Sequence, residues 1–158
     1  MRPRAAGPAD SAAIARIFNQ GMEDRIATFE TRPRSAAEVE KWFDGAHPVV
    51  VLEQDGEVIA FASTSVYRAR ECYAGIAECS VYVERGRRGR GAGRAVLEAL
   101  QAAARAAGFH KLVSRVFPEN AASLAMLGRL GWRQVGRYER HGRLDGVWRD
   151  VVIVEKQL

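Results

Sequence analysis

The chain has 158 residues, enough for one domain with a full hydrophobic core and too few for two comfortable ones. Its composition, 47% hydrophobic and 27% charged, is that of an ordinary soluble globular protein, and no apolar run approaches the roughly 18 residues of a membrane span. Five arginines between residues 85 and 94, with no acid among them, match the net charge of +5, so the excess points to one local anion site and not a broad basic face.

In chain order, Ala5 ends a short predicted strand. Gly7-Pro8-Ala9-Asp10 opens a helix, with proline at its first position and an acid in its first turn, and Ile14, Ile17 and Phe18 follow at helical spacing. Ser35 and Glu38 form a capping-box pattern before Val39, Trp42 and Phe43, which predicts a second helix. Asp55-Gly56 between the apolar runs 49–52 and 58–61 is a hairpin signal. A further strand is expected over about 76–83. The arginine and glycine cluster comes next, and then Val96, Leu100, Ala103 and Ala107 mark a helix closed by Gly108.

A strand over 111–117 and a helix over 121–130, closed by Gly131, continue the alternation. Two strands end the chain, about 132–139 and 147–155, with Asp145-Gly146 in their connection. The order β-α-α-β-β-β-α-β-α-β-β, with hairpins early, predicts a single α+β domain over 1–158 and not a doubly wound sheet. The basic N-terminus has no apolar segment behind it, so no secretory signal is expected. Cys72 and Cys79 lack metal-ligand spacing and read as reduced thiols of a cytoplasmic protein.

Strand, glycine-rich turn and helix together make a phosphate grip. Glycines let the backbone approach closely, and the free N–H groups and dipole of the following helix favour an anion. In Arg88-Gly89-Arg90-Gly91-Ala92-Gly93, Arg88 and the following Arg94 could add charge-assisted hydrogen bonds. The Walker pattern is excluded, because Arg94-Ala95 stands where it needs lysine and a hydroxyl residue. The dinucleotide fingerprint belongs to an early βαβ unit, whereas this turn comes late. On spacing alone a flexible basic loop stays open as the alternative. So does an RGG-like nucleic-acid patch, although no aromatics are interleaved with these arginines.

The same turn resembles the acyl-CoA signature Arg/Gln-x-x-Gly-x-Gly/Ala of GNAT acetyltransferases, at the matching point of the β/α order. The resemblance implies a GNAT fold with a mixed sheet of about seven strands flanked by about four helices. It implies acetyl-CoA as co-substrate, with no metal, held by Arg88, Gly89, Arg90, Gly91, Ala92, Gly93 and Arg94. Val81, Tyr82 and Val83 would lie along the pantetheine arm, and Asn120 and Ser123 would face the cofactor at the next helix. Asn120 also reads as a plain helix N-cap, and the two uses are compatible.

Within GNAT enzymes the chain is similar to the phosphinothricin, methionine sulfoximine and arsinothricin N-acetyltransferases. The blocks that carry this are 27–31 (Ala-Thr-Phe-Glu-Thr), 67–73 (Tyr-Arg-Ala-Arg-Glu-Cys-Tyr), 77–83 (Ala-Glu-Cys-Ser-Val-Tyr-Val) and 145–151 (Asp-Gly-Val-Trp-Arg-Asp-Val). The acceptor is then expected to be a small anionic amino-acid analogue, and neither a nucleic acid nor a membrane. A homodimer follows from the resemblance only.

An α-ammonium must lose a proton before it can attack a thioester, and Glu78 is the expected general base. Without the resemblance it reads as an exposed strand carboxylate. A backbone N–H near Val81 would meet an oxyanion. Arg68 and Arg70, flanked by Tyr67 and Tyr73, are two apart and would project on one side of an extended segment, suited to gripping oxyanions. A solvated loop is the alternative. Tyr73, Phe29 and Thr31 complete the expected acceptor site, though Phe29 equally reads as core. Many GNAT enzymes carry a tyrosine seven residues after the motif asparagine; here Leu127 stands there, so no general acid is assigned. His47, His110 and His141 are scattered and receive no role.

Overall fold

In the computed structural model, which describes Met1–Leu158, seven strands and four α-helices follow in the expected order. They are β1 (Arg2–Ala5), α1 (Ser11–Glu23), α2 (Ala36–Glu40), β2 (Val49–Gln54), β3 (Glu57–Val66), β4 (Ile76–Val83), α3 (Ala92–Ala106), β5 (Lys111–Val116), α4 (Ala121–Arg129), β6 (Arg133–Leu144) and β7 (Val147–Gln157). All strands join one sheet in the order β1-β2-β3-β4-β5-β7-β6. Only β4 and β5 run parallel; every other pair is antiparallel. No helix is long and apolar enough to cross a membrane.

Local sequence explains most of the boundaries. Both Asp-Gly pairs are two-residue hairpin turns, with φ of 53° and 79° at Asp55 and Gly56, and 52° and 78° at Asp145 and Gly146. Such left-handed pairs match the twist of the strands they join. At α2 the Ser35 hydroxyl accepts from the Glu38 N–H at 3.2 Å, as a cap should. The reciprocal half of the capping box is not made, because the Glu38 carboxylate is held by Arg32 and Arg34. The strand at the chain's far edge, β6, runs to Leu144, well beyond the expected 139. Its register shifts between Tyr138 and Gly142. There Arg140 takes a φ of 47° and donates its N–H to Asp150 at 2.8 Å. This bulge absorbs the irregularity and lets the ladder resume.

Hydrophobic cores lie on both faces of the sheet. On one face α3 buries Val96, Leu97, Leu100 and Ala104 against Leu112, Val152 and Val154, joined by Leu127 and Trp132. On the other, Ile14, Ile17 and Phe18 of α1 pack on Val49, Val51, Phe61 and Tyr82. The Tyr82 ring stacks on Phe61 with centroids 5.2 Å apart. It also lies so close to Gly21 of α1 that a Cβ there would sit 2.6 Å from the ring. Alternation along β4 therefore sends Ala77, Cys79, Val81 and Val83 toward α3 and Tyr82 toward α1.

One break in the sheet positions everything that follows. The β4–β5 ladder pairs only Ile76, Ala77 and Glu78 with Lys111, Leu112 and Val113. Past that point β4 continues beside β3 to Val83, while β5 continues beside β7 to Val116. The two parallel strands separate, and a wedge opens between them.

Candidate active site

Backbone geometry builds one wall of the wedge. A strand's successive residues turn their N–H and C=O groups to opposite sides. Glu84 N–H donates to Ile59 of β3 at 2.8 Å, and the Cys79 carbonyl accepts from Ser114 Oγ of β5 at 3.0 Å. Val81 and Val83 share the parity of Cys79, so their backbone groups face the gap, whereas those of Tyr82 face β3. Of the three residues expected along the pantetheine arm, Val81 and Val83 offer backbone there; the Tyr82 side chain packs in the α1 core, and the residue also lines the cleft. The cleft is lined by Ser80 and Val81 of β4, Ser114, Arg115 and Val116 of β5, Ile26 and Ala27 from the loop after α1, and Asn120 and Ser123 at α4.

At the open end of the wedge stands the glycine-rich turn. Gly89 and Gly91 have φ of 76° and 86°, and Gly91 is the N-cap of α3. Side chains other than glycine resist this left-handed region. The bond from Ala95 N–H to the Gly91 carbonyl at 3.0 Å opens the helix, which leaves the N–H groups of Ala92, Gly93 and Arg94 without intrahelical acceptors. Gly93 has a packing task, since a Cβ there would meet Met126 Sδ at 3.2 Å and Val83 at 3.5 Å. An anion with several oxygens fits this open, N–H-lined turn.

The arginine cluster is not the bare positive patch that its sequence suggests. Arg88 donates to Asp24 at 2.5 Å and to the Val83 carbonyl at 3.2 Å. Arg85 reaches Glu23 and Asp24, Arg87 lies near Glu57 and Glu84, and Arg94 pairs with Glu98. Burial opposes ionisation of Asp24, and the hydrogen bonds from Arg88 and Arg85 outweigh it, holding its carboxyl below the usual range. Arg90 alone of the five makes no ion pair. Acids from the end of α1, β3, the residue after β4 and α3 thus neutralise most of the charge concentrated in 85–94, which weakens any long-range pull on a polyanion.

Asn120 caps α4, its Oδ1 accepting from Ser123 N–H at 3.3 Å, and both residues also line the cleft. Leu127 is buried in the α3 core, so its position offers no proton donor. Burial pushes the Tyr82 phenol up to about 12, so it keeps its proton near neutral pH. Burial likewise pushes the Cys79 thiol up to about 12, which leaves it inert as a nucleophile.

Glu78 stands at the fork, the last β4 residue still paired with β5. Its Oε1 accepts from Arg115 Nε at 2.6 Å, and through Arg115 it is joined to the cleft wall. The segment with Arg68 and Arg70 is not extended, the condition on which the two arginines would share a side. It bends after Val66 and closes in a tight 3-10 turn at Glu71–Tyr73, held by an edge contact of the Tyr67 and Tyr73 rings at 5.8 Å. Strand alternation therefore does not set the directions of the two arginines. Arg68 folds back over the Tyr67 ring and donates to the Tyr67 carbonyl at 2.9 Å, while Arg70 is exposed.

Phe29 packs edge-on against Phe117 at 4.7 Å and lies on Gly142 of β6, where a Cβ would sit 2.7 Å from its ring. The loop between α1 and α2 thereby spans the gap to the far side of the sheet, helped by an ion pair from Arg25 to Asp145 at 3.0 Å. Thr31 is exposed on that loop. Sequence reasoning missed Ile26, Ser114, Arg115 and Phe117. Nothing in their spacing marks them; they meet only because β5 diverges from β4.

The model of the acetyltransferase (GNAT) family matches residues 14–132. The chain is similar to the L-methionine sulfoximine/L-methionine sulfone acetyltransferase of Pseudomonas paraeruginosa, 34% identical over 98% of this chain and 93% of that protein. It superposes on a ribosomal-protein-alanine N-acetyltransferase from Brucella melitensis with a TM-score of 0.94, at 30% identity and full coverage of both chains. A GNAT phosphinothricin acetyltransferase from Sinorhizobium meliloti, solved in complex with acetyl-CoA, superposes with a TM-score of 0.91 at 30% identity, over 99% of this chain and 88% of that one. The chain belongs to the GNAT family of acetyltransferases.

Proposed function

We propose that this GNAT acetyltransferase moves an acetyl group from acetyl-CoA to the α-amino group of a small anionic amino-acid analogue, of the phosphinothricin, arsinothricin or methionine sulfoximine/sulfone type, with Glu78 as general base. The observation that carries the reading is the wedge, with a carboxylate at its closed end and an anion-binding turn at its open end. The relative that acts on methionine sulfoximine and sulfone and the neighbour that acts on phosphinothricin support the acceptor class.

The neighbour solved with acetyl-CoA supports the cofactor. The N–H groups of the α3 first turn, with Gly89 and Gly91, would hold its pyrophosphate, Arg90 is the guanidinium free to add to that grip, and Asn120 and Ser123 would flank the chain. Bound there, it supplies the acetyl group as an activated thioester. Glu78 takes the proton from the acceptor's ammonium, directly or through one water, which leaves the nitrogen lone pair free to attack. Such help is worth roughly 100- to 10,000-fold. The Val81 N–H is the donor available to a carbonyl oxygen that gains charge. With Leu127 in place of a tyrosine, the departing thiolate takes its proton from solvent. Arg68, Arg70 and Tyr73, with Phe29 and Thr31, form the acceptor's outer contacts.

A second reading, acetylation of a protein N-terminus, is favoured by the alanine N-acetyltransferase neighbour. One assay separates the two: thiol release from acetyl-CoA across phosphinothricin, methionine sulfoximine, methionine sulfone, arsinothricin, polyamines and peptides. Turnover of the small amino acids is expected; activity confined to peptides would sink the first reading. The homodimer is supported by exposed Val135, Tyr138, Val147 and Trp148 on the β6–β7 hairpin. Light scattering should give the mass of two chains, and a monomer would remove it.

A further inference from the structure

Arg115 is the cation that reaches Glu78, with 2.6 Å between Nε and Oε1; the two side chains are 53% and 20% exposed. An ion pair this open to water adds little to stability, so fold stability alone is a weak reason for an arginine in the cleft wall. Its position is set by the sheet. Val113 faces Glu78 across the last rung of the β4–β5 ladder, and Arg115 is the next β5 residue on that same face. It lines the cleft at the point where the strands separate.

An α-amino acid carries an ammonium and a carboxylate on one carbon. Glu78 and Arg115 present the opposite charges side by side, as a complement to that pair. We propose that Arg115 is a specificity-determining residue that reads the α-carboxylate of the acceptor and, in doing so, releases Glu78 to the acceptor's ammonium. This rests on the acetyl-transfer reading with Glu78 as base.

The exchange conserves charge. One carboxylate–guanidinium pair opens and two pairs form, ammonium on Glu78 and carboxylate on Arg115. The ammonium proton then passes to a Glu78 oxygen, and the acceptor carboxylate stays on Arg115 unchanged. Guanidinium suits this task because its fork can hold both carboxylate oxygens. Arg68 and Arg70 are left for the acceptor's distal oxyanion. An amine without an α-carboxylate, such as a polyamine or a peptide N-terminus, offers nothing to draw Arg115 away, and Glu78 stays occupied.

The test pairs an accepted amino acid, methionine sulfone first, with its carboxamide and its decarboxylated amine. On the wild type, kcat/KM for the acid should exceed that for the amide by roughly 10- to 100-fold, the worth of one charged hydrogen-bonded contact. Arg115→Met should raise KM for the acid about 10-fold or more while turnover of the amide stays level or rises, because the variant also frees Glu78, and Arg115→Lys should restore part of the loss on the acid. Calorimetric titration of acid and amide into the enzyme gives the same contrast without turnover. Equal losses on acid and amide, or an unchanged KM for the acid, would overturn the proposal. If Arg115→Met fails to fold, the wild-type acid–amide contrast and the lysine variant still decide it. A wild type whose thiol release is unchanged by any of the amino acids shows instead that the underlying activity is misread, and the proposal falls with it.

Discussion

The two ends of the wedge are built from different materials. At the glycine turn the groups that face an anion are backbone N–H groups, shaped by Gly89 and Gly91 in left-handed conformations, and most nearby arginines are already bound to acids. At the fork the charged groups are side chains, Glu78 of β4 paired with Arg115 of β5. A backbone site tolerates side-chain change but not a change of dihedral. A side-chain site behaves in the opposite way. One cleft thus joins an end built of backbone donors to an end built of paired side-chain charges.

Substitutions can break that contrast, and the largest effect is expected at the fork. Glu78→Gln should lower kcat by roughly 100- to 10,000-fold near neutral pH while acetyl-CoA affinity, measured by calorimetry, hardly moves. Equal turnover across the pH range would remove Glu78 from the mechanism. At the other end Gly91→Val forces a β-branched residue to a φ of 86°. With about 1–2 kcal/mol of strain, KM for acetyl-CoA should rise on the order of tenfold while KM for the acceptor stays put. A loss shared between both substrates would show that the two ends are not separable.

Smaller effects sharpen the picture. Arg68→Ala and Arg70→Ala, measured separately, should each raise KM for a dianionic acceptor about 3- to 10-fold and leave acetyl-CoA unaffected. Neither changing it would return the loop to a solvated role. Arg94 makes one i,i+4 pair with Glu98 on the α3 surface. Arg94→Ala should therefore cost only about 0.3–0.5 kcal/mol in denaturant unfolding. Arg90→Ala should weaken acetyl-CoA binding more than Arg94→Ala does, since Arg90 is the cluster's one unpaired guanidinium.

Legibility in the sequence followed distance along the chain. The turn at 88–93 and both Asp-Gly hairpins were readable because glycine spacing and turn chemistry act over a few residues. The bend at 67–73 was not, since it depends on Tyr67 meeting Tyr73 across a loop with no glycine or proline to announce it. Arg115 was invisible for a stronger reason. It is 37 residues from Glu78, and its place beside that carboxylate follows from where a parallel ladder stops.

By itself the sequence determined the element order, the α+β class and the glycine turn, because propensity, periodicity and turn chemistry are local properties of a chain. It also showed five arginines in one short stretch, and read alone they were an excess of positive charge. Tertiary structure decided what that charge means, since Asp24 and Glu57 come from other segments, and Glu98 from the next helical turn, to meet it. It decided equally that β4 and β5 part after Glu78 and Val113. Both outcomes depend on which strands lie side by side, and that is fixed by packing the two faces of the sheet, not by any short run of residues.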